Sequence, residues 1–197
     1  MEFGWGEAGG ILLQVAMGVS LAACAGLRAF LPLLVVGAFG RLGFVPLTGA
    51  FEWLSSWPAL AVFGVAVVVE LAADKFPVVD HLLDVVQVWV KPVAGVILVT
   101  GVLSELAPLQ AVVLGIVLGG PTATAVHVLK AKTRIVSTAA SAGVGNPVLS
   151  TVEDAGAVVG SVGAIFVPWL IFLILVLAVV LVALALRRRA SRPAQIA

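Results

Sequence analysis

Between Asp154 and Arg187 the chain carries no charged residue at all. A run of that kind exceeds the roughly 20 apolar residues that carry a helix across a bilayer core of about 30 Å. It is also too long and too uniformly apolar for the alternating strands of a membrane barrel. The stretch 152–186 therefore reads as one very long helix or as two short ones turning at Pro168. The same character pervades the 197 residues, of which 62% are hydrophobic and 11% charged, whereas soluble domains are about a quarter charged. A water-soluble fold has nowhere to hide so much apolar surface. The expected fold class is all-α, a polytopic membrane helix bundle with broken or re-entrant polar segments.

The apolar runs give about six spans, near 11–40, 58–74, 92–107, 109–131, 152–168 and 169–186. The first is longer than a crossing needs and contains Gly26, Arg28 and Pro32, which points to a break or kink. Cations orient the bundle. Six spans with a cytoplasmic N-terminus put Lys75, Lys91, Lys130, Lys132, Arg134, Arg187, Arg188, Arg189 and Arg192 inside and leave only Arg41 outside. Both termini are then cytoplasmic. Residues 1–186 form one membrane domain, and 187–197 form a basic cytoplasmic tail beside anionic lipid headgroups. Met1 to Leu12 carries no Lys or Arg, so the first apolar run is expected to be a retained span, not a cleaved signal. Leu21-Ala22-Ala23-Cys24 has the form of a lipoprotein cleavage box. The chain stays apolar from Ala25 to Gly40, however, where a lipoprotein continues as a polar tether, so an unmodified Cys24 is expected. Gly115-xxx-Gly119 and Gly156-xxx-Gly160 are small-residue faces suited to close helix packing.

Ionisable groups in such a domain are costly and face one another or a wet cavity. Arg28 falls within the first span, with Glu70 and Asp74 the nearest intramembrane carboxylates in sequence and its expected partners. Glu70 and Asp74 share a helix face, Pro77 interrupts that helix, and Asp80 suits the N-cap of the next. There Asp80, Asp84, Gln87 and Lys91 fall within a stripe about 60° wide at 100° per residue. A surface-lying helix has a broad, Lys-rich polar face. This stripe is narrow and led by acids, so it reads as the lining of a protein interior or crevice. Carboxylates at a helix break supply hard oxygen ligands to a cation or share protons, and interrupted transporter helices place ion sites there.

The second polar patch holds His127, Lys130, Lys132 and Arg134, with Lys130 and Arg134 on one face. Residues 137–147 are small, polar and punctuated by glycine, and read as a loop or re-entrant stretch that includes Asn146. Ser150 and Glu153 have capping-box spacing, which gives Glu153 a structural role; Asp154 has none. These charges all reach the cytoplasmic side in the six-span path, so the two halves can pair.

At Ala25-Gly-Leu-Arg-Ala-Phe-Leu-Pro32, at Glu70-xxx-Asp74-Lys-xx-Pro77-xx-Asp80-xxx-Asp84, and at Lys130-xxx-Arg134 followed by Gly145-Asn-Pro147-xx-Ser150-xx-Glu153-Asp154, the chain resembles an uncharacterised bacterial integral-membrane family, domain-of-unknown-function family 4126. The resemblance covers roughly residues 15–168. It implies a multi-pass protein of the bacterial inner membrane and brings no substrate or cofactor. The residues themselves favour a small transporter or channel for an ion or small polar solute, with Glu70, Asp74, Asp80, Asp84 and Asp154 as its pathway. Lipid or lipid-phosphate handling through Arg28, Lys91, Lys130 and Arg134 and a non-catalytic scaffold are the alternatives. The partners implied are membrane lipids and a cation or proton, with a second copy of the chain as a further candidate. No basic field exists for nucleic acid, and no cofactor is expected. An enzyme is not expected either. Asp80-xxx-Asp84 is similar to the last two aspartates of membrane phosphatidyl-alcohol transferases, but the upstream acidic pair is missing and Phe76 stands where their glycine would be.

Overall fold

In lipid every backbone polar group must be satisfied within its own segment, so even Val-rich runs, poor helix formers in water, coil into helices. The computed structural model describes residues 7–73, 77–141 and 144–190, with side chains described in these ranges except at 7–8, 77–82, 84 and 185–190. Along the chain come α1 (Glu7–Leu27), α2 (Phe30–Arg41), a 3₁₀ segment (Gly49–Ser55), α3 (Trp57–Ala73), α4 (Pro77–Val102), α5 (Pro108–Leu114), a π turn (Gly115–Gly119), α6 (Gly120–Ser141), α7 (Asn146–Phe166) and α8 (Pro168–Ala190). No strand occurs among the described residues. The all-helical expectation holds.

The six-span count is not reproduced. Gly9–Leu27, Val85–Val102, Pro108–Ser141 and Asn146–Phe166 are long and apolar enough to cross a membrane. A fifth crossing is available if the 3₁₀ segment and α3, bent by 61° from each other, act as one span. The expected first span 11–40 is in fact a hairpin: α1 ends at Leu27, the chain turns through Arg28 and Ala29, and α2 returns. Gln14 on α1 bonds Ser104 and Glu105, and Thr48 beyond α2 bonds Thr100 and Gly101, so the start of α1 and the end of α2 lie at the same end of the bundle. That return removes the parity argument which put both termini on one side. The 92–107 span is the end of a longer helix that starts at Pro77 and continues through Pro92. The loop expected over 137–147 is mostly helix, since α6 persists to Ser141 and α7 begins at Asn146.

α1 is the axis, with α4, α6, α7 and α8 packed around it. Small residues allow the approach. Gly95 of α4 and Gly119 of the π turn lie so close that a Cβ on either would collide with the other's carbonyl oxygen. A Cβ on Gly160 of α7 would lie 2.7 Å from the sulfur of Cys24, which is buried within an unbroken α1. Of the glycine pairs seen in the sequence, Gly115, Gly119 and Gly160 therefore lie at close contacts, whereas Gly156 is exposed. Outward faces remain apolar, as at Val62, Val65 and Val69 on α3 and at Leu173, Leu177 and Leu181 on α8, which suits lipid as their solvent. Trp53, Trp57 and Trp169 stand exposed at the end where α2 finishes, in the manner of an interfacial aromatic belt.

Candidate functional site

The site grows from the tip of the α1–α2 hairpin. Arg28 still closes the last turn of α1, its N–H donating to the Cys24 carbonyl at 2.9 Å. α2 then restarts, with Pro32 in its first turn, where a missing N–H costs nothing. The N-terminal amides of a helix lack partners within it and carry partial positive charge. Here Glu70 of α3 supplies the acceptor: its two carboxylate oxygens lie 3.0 Å from the Ala29 nitrogen and 3.4 Å from that of Phe30. Gln87 on α4 donates to the same carboxylate at 2.8 Å. Glu70 is 1% exposed, so this cap is made inside the protein.

Arg28, also 1% exposed, turns its guanidinium toward α7. Both Nε and Nη2 lie 2.5 Å from Oδ1 of Asp154. Nη2 donates to Ser150 Oγ at 3.1 Å, and Nη1 to the Glu70 backbone carbonyl at 3.3 Å. The expected partnership with the Glu70 carboxylate is thus corrected. That carboxylate is occupied with the start of α2, and among the described residues Asp154, distant in sequence, carries the charge opposite Arg28. Asp74, the other expected partner, lies outside the described residues, as do the side chains of Asp80 and Asp84. Asp80 does not cap α4, because Pro77 opens that helix.

Two further cations enter from α6. Lys130 donates to the Leu27 carbonyl at 3.1 Å, satisfying the end of α1, and lies 3.2 Å from Glu153 Oε2. Arg134 Nη2 reaches the same oxygen at 3.2 Å. Glu153 is therefore no capping residue. Asn146 and Pro147 start α7, Ser150 falls inside the helix, and the acid is released to join two cations from the neighbouring helix. Asn146 itself donates to Thr138 Oγ1 at 2.9 Å across the short connection and stays outside the network. Lys91, fully buried on α4, lies 3.0 Å from Nδ1 of His127 on α6. Which of the two donates depends on the tautomer of the ring. His127 had been given no role on sequence grounds.

At 1.5 Å per residue, Glu70 lies about 20 Å below Trp57, and Asp154 about 18 Å below Phe166. The charges thus gather about 20 Å along the helices from Trp57, at the end of the bundle opposite Trp53, Trp57 and Trp169. Four cations and three carboxylates with described side chains meet there, contributed by the α1–α2 turn, α3, α4, α6 and α7. Among the described residues no group of three or more His, Cys, Asp or Glu is placed to hold a metal ion.

An all-helical bundle with four to five candidate spans and a buried ion network at a broken hairpin defines a multi-helix protein of membrane character. Within that class the chain belongs to the family defined by the domain of unknown function DUF4126, whose profile matches residues 15–188. No curated protein and no solved structure matches it.

Proposed function

We propose that this protein moves an ion or small polar solute across the membrane, with the network at the hairpin tip as its polar passage. The observation that carries this reading is the half-length helix α2, which starts deep in the bundle beside Arg28 and Glu70. Broken helices whose ends meet buried charges are how transporters build ion sites within lipid. The pairs are exchangeable: Arg28 has Asp154, Ser150 and a carbonyl within reach, and Glu153 serves both Lys130 and Arg134. A passing cation or proton takes the place of one of these cations at its carboxylate, and the released side chain moves to a neighbouring acceptor. In the sequence Asp74, Asp80 and Asp84 follow Glu70 closely and add to the acid count, which favours a cation or proton over an anion. No catalytic role is assigned to any of them.

Purified protein in liposomes should dissipate a proton or cation gradient. Asp154→Asn and Asp84→Asn should abolish the flux, while Lys132→Ala, on an exposed face of α6, should be mild. Absence of flux in every gradient, together with stability that ignores cations and pH, would sink the reading. Lipid-phosphate handling by Lys130 and Arg134 would then lead, tested by headgroup binding to the same preparation.

A further inference from the structure

Arg41 is the one cation that the sequence left on the far side of the bundle, and the structure gives it a setting of its own. It closes α2, where a positive side chain complements the negative end of the helix. Its guanidinium lies 4.3 Å above the Trp57 ring and donates from Nη1 to the Ser55 carbonyl at 3.1 Å. These two contacts fix the plane of the group and leave most of its N–H donors open. Beside it opens a cavity of about 410 Å³ lined by Gly40, Arg41, Leu47, Glu52, Ser55 and Ser56. The Glu52 carboxylate is exposed and makes no hydrogen bond or ion pair among the described residues, so it does not neutralise Arg41. Ser55 Oγ is shielded from solvent yet has no hydrogen-bond partner there. A fixed cation and a carboxylate without a partner among the described residues therefore border one space.

Apolar surface frames that space. Leu42, Phe44, Trp53 and Trp57 are exposed around it, and below Trp57 the outer face of α3 continues through Val62, Val65 and Val69. Aromatic side chains in such a ring sit at the depth of lipid headgroups, and the α3 stripe below them is the depth of acyl chains. We propose that this cavity is a binding site for a zwitterionic phosphoethanolamine group, supplied by a membrane lipid. The phosphate takes charge-assisted bonds from Arg41, and the ammonium, two carbons away, donates to Glu52. An anionic headgroup without an amine satisfies Arg41 alone and leaves the Glu52 charge facing it. That difference gives the site its selectivity.

The test uses the full chain, equilibrated with mixed vesicles of phosphatidylethanolamine and phosphatidylglycerol, extracted in detergent and read by native mass spectrometry. The parent should retain phosphatidylethanolamine in about three- to fivefold preference, the size expected of one partly exposed charge contact. Glu52→Gln should erase the preference while phosphate lipids are still retained, and Arg41→Ala should lose both lipids. Should Arg41→Ala prove unstable, Glu52→Gln decides alone, since its side chain bonds nothing within the described structure. Equal retention of the two lipids by the parent, or an unchanged preference in Glu52→Gln, overturns the proposal. Soluble phosphoethanolamine competing at millimolar concentration would identify the free group as the ligand of this site; failure to compete, with lipid still retained, identifies the lipid.

Discussion

Arg28 makes its contacts through three nitrogens at once, to Asp154, to Ser150 and to the Glu70 carbonyl. Lysine offers a single point of charge and cannot reproduce that fork. Breaking a buried pair by removing one partner costs about 3–5 kcal/mol. Because Asp154 keeps 31% of its side chain accessible, the lower end applies, and Arg28→Ala should destabilise by about 3 kcal/mol. Thermal melts in detergent should place Arg28→Lys near Arg28→Ala, and the double change Arg28→Met with Asp154→Leu should recover part of the loss. If both single variants melt with the parent, the pair does not hold the hairpin tip. Glu70 separates charge from cap. Glu70→Ala leaves the amides of Ala29 and Phe30 unpaired and should cost about 1–2 kcal/mol for the lost cap, whereas Glu70→Gln, which keeps an acceptor, should cost less. Membership of this network was largely legible from charge: any ionisable residue in an apolar run must find a partner, and Arg28, Glu70, Lys91, Lys130, Arg134 and Asp154 stood out for that reason, whereas Glu153 read as a capping residue. The partner of Arg28 was less legible: of the two acids the sequence offers, the Glu70 carboxylate caps α2 instead and Asp74 lies outside the described residues, while Asp154 lies 126 positions away. His127 fell in the second polar patch without a role, although it stands three residues before Lys130 and seven before Arg134 on one helical face.

Helix existence was read well from apolar runs, and helix ends were read poorly. At α7 two start signals compete. Ser150 with Glu153 has capping-box spacing, but Asn146-Pro147 puts proline in the first turn four residues earlier and wins. The span expected near 11–40 hid a hairpin because α2, at 12 residues, is too short to register as a crossing. Gly26, Arg28 and Pro32 still marked where it breaks. The Gly95–Gly119 crossing carries its own test. Either glycine changed to alanine meets a backbone carbonyl, which cannot rotate aside as a side chain can. Gly119→Ala should therefore destabilise by about 1–3 kcal/mol, as overpacking does. Gly64→Ala, where an added Cβ meets nothing within 4 Å, should be neutral or slightly stabilising, as in any helix interior. Equal melting of the two variants would mean that the π turn and α4 separate more readily than their contact suggests.

The bundle as a unit is electrically lopsided among the described residues: Lys91, Lys130, Lys132 and Arg134 gather with Arg28 at one end, while Arg41 stands beside Trp53 and Trp57 at the other. Cations favour the cytoplasmic side. With the hairpin returning α2 to the level where α1 begins, that rule now sets the start of α1 on the opposite face from the basic end. Reporter fusions after Glu7 should read outside. α8 folds back from Val167 along α7, with Ile171 against Gly163, so a fusion after Arg192 should read cytoplasmic. A cytoplasmic signal from both would restore the six-span path. The borrowed cap of α2 also has a consequence for how the chain is assembled. While only α1 and α2 have left the ribosome, the amides of Ala29 and Phe30 face lipid with no acceptor, a cost of several kcal/mol per group, because Glu70 is still inside the exit tunnel. α2 cannot settle at depth until α3 has followed it into the bilayer. A nascent chain arrested before Glu70 should leave residues 30–41 open to protease or to a water-soluble thiol reagent at an introduced cysteine. Extending the chain past Gln87, the carboxylate's other donor, should close that window in one step.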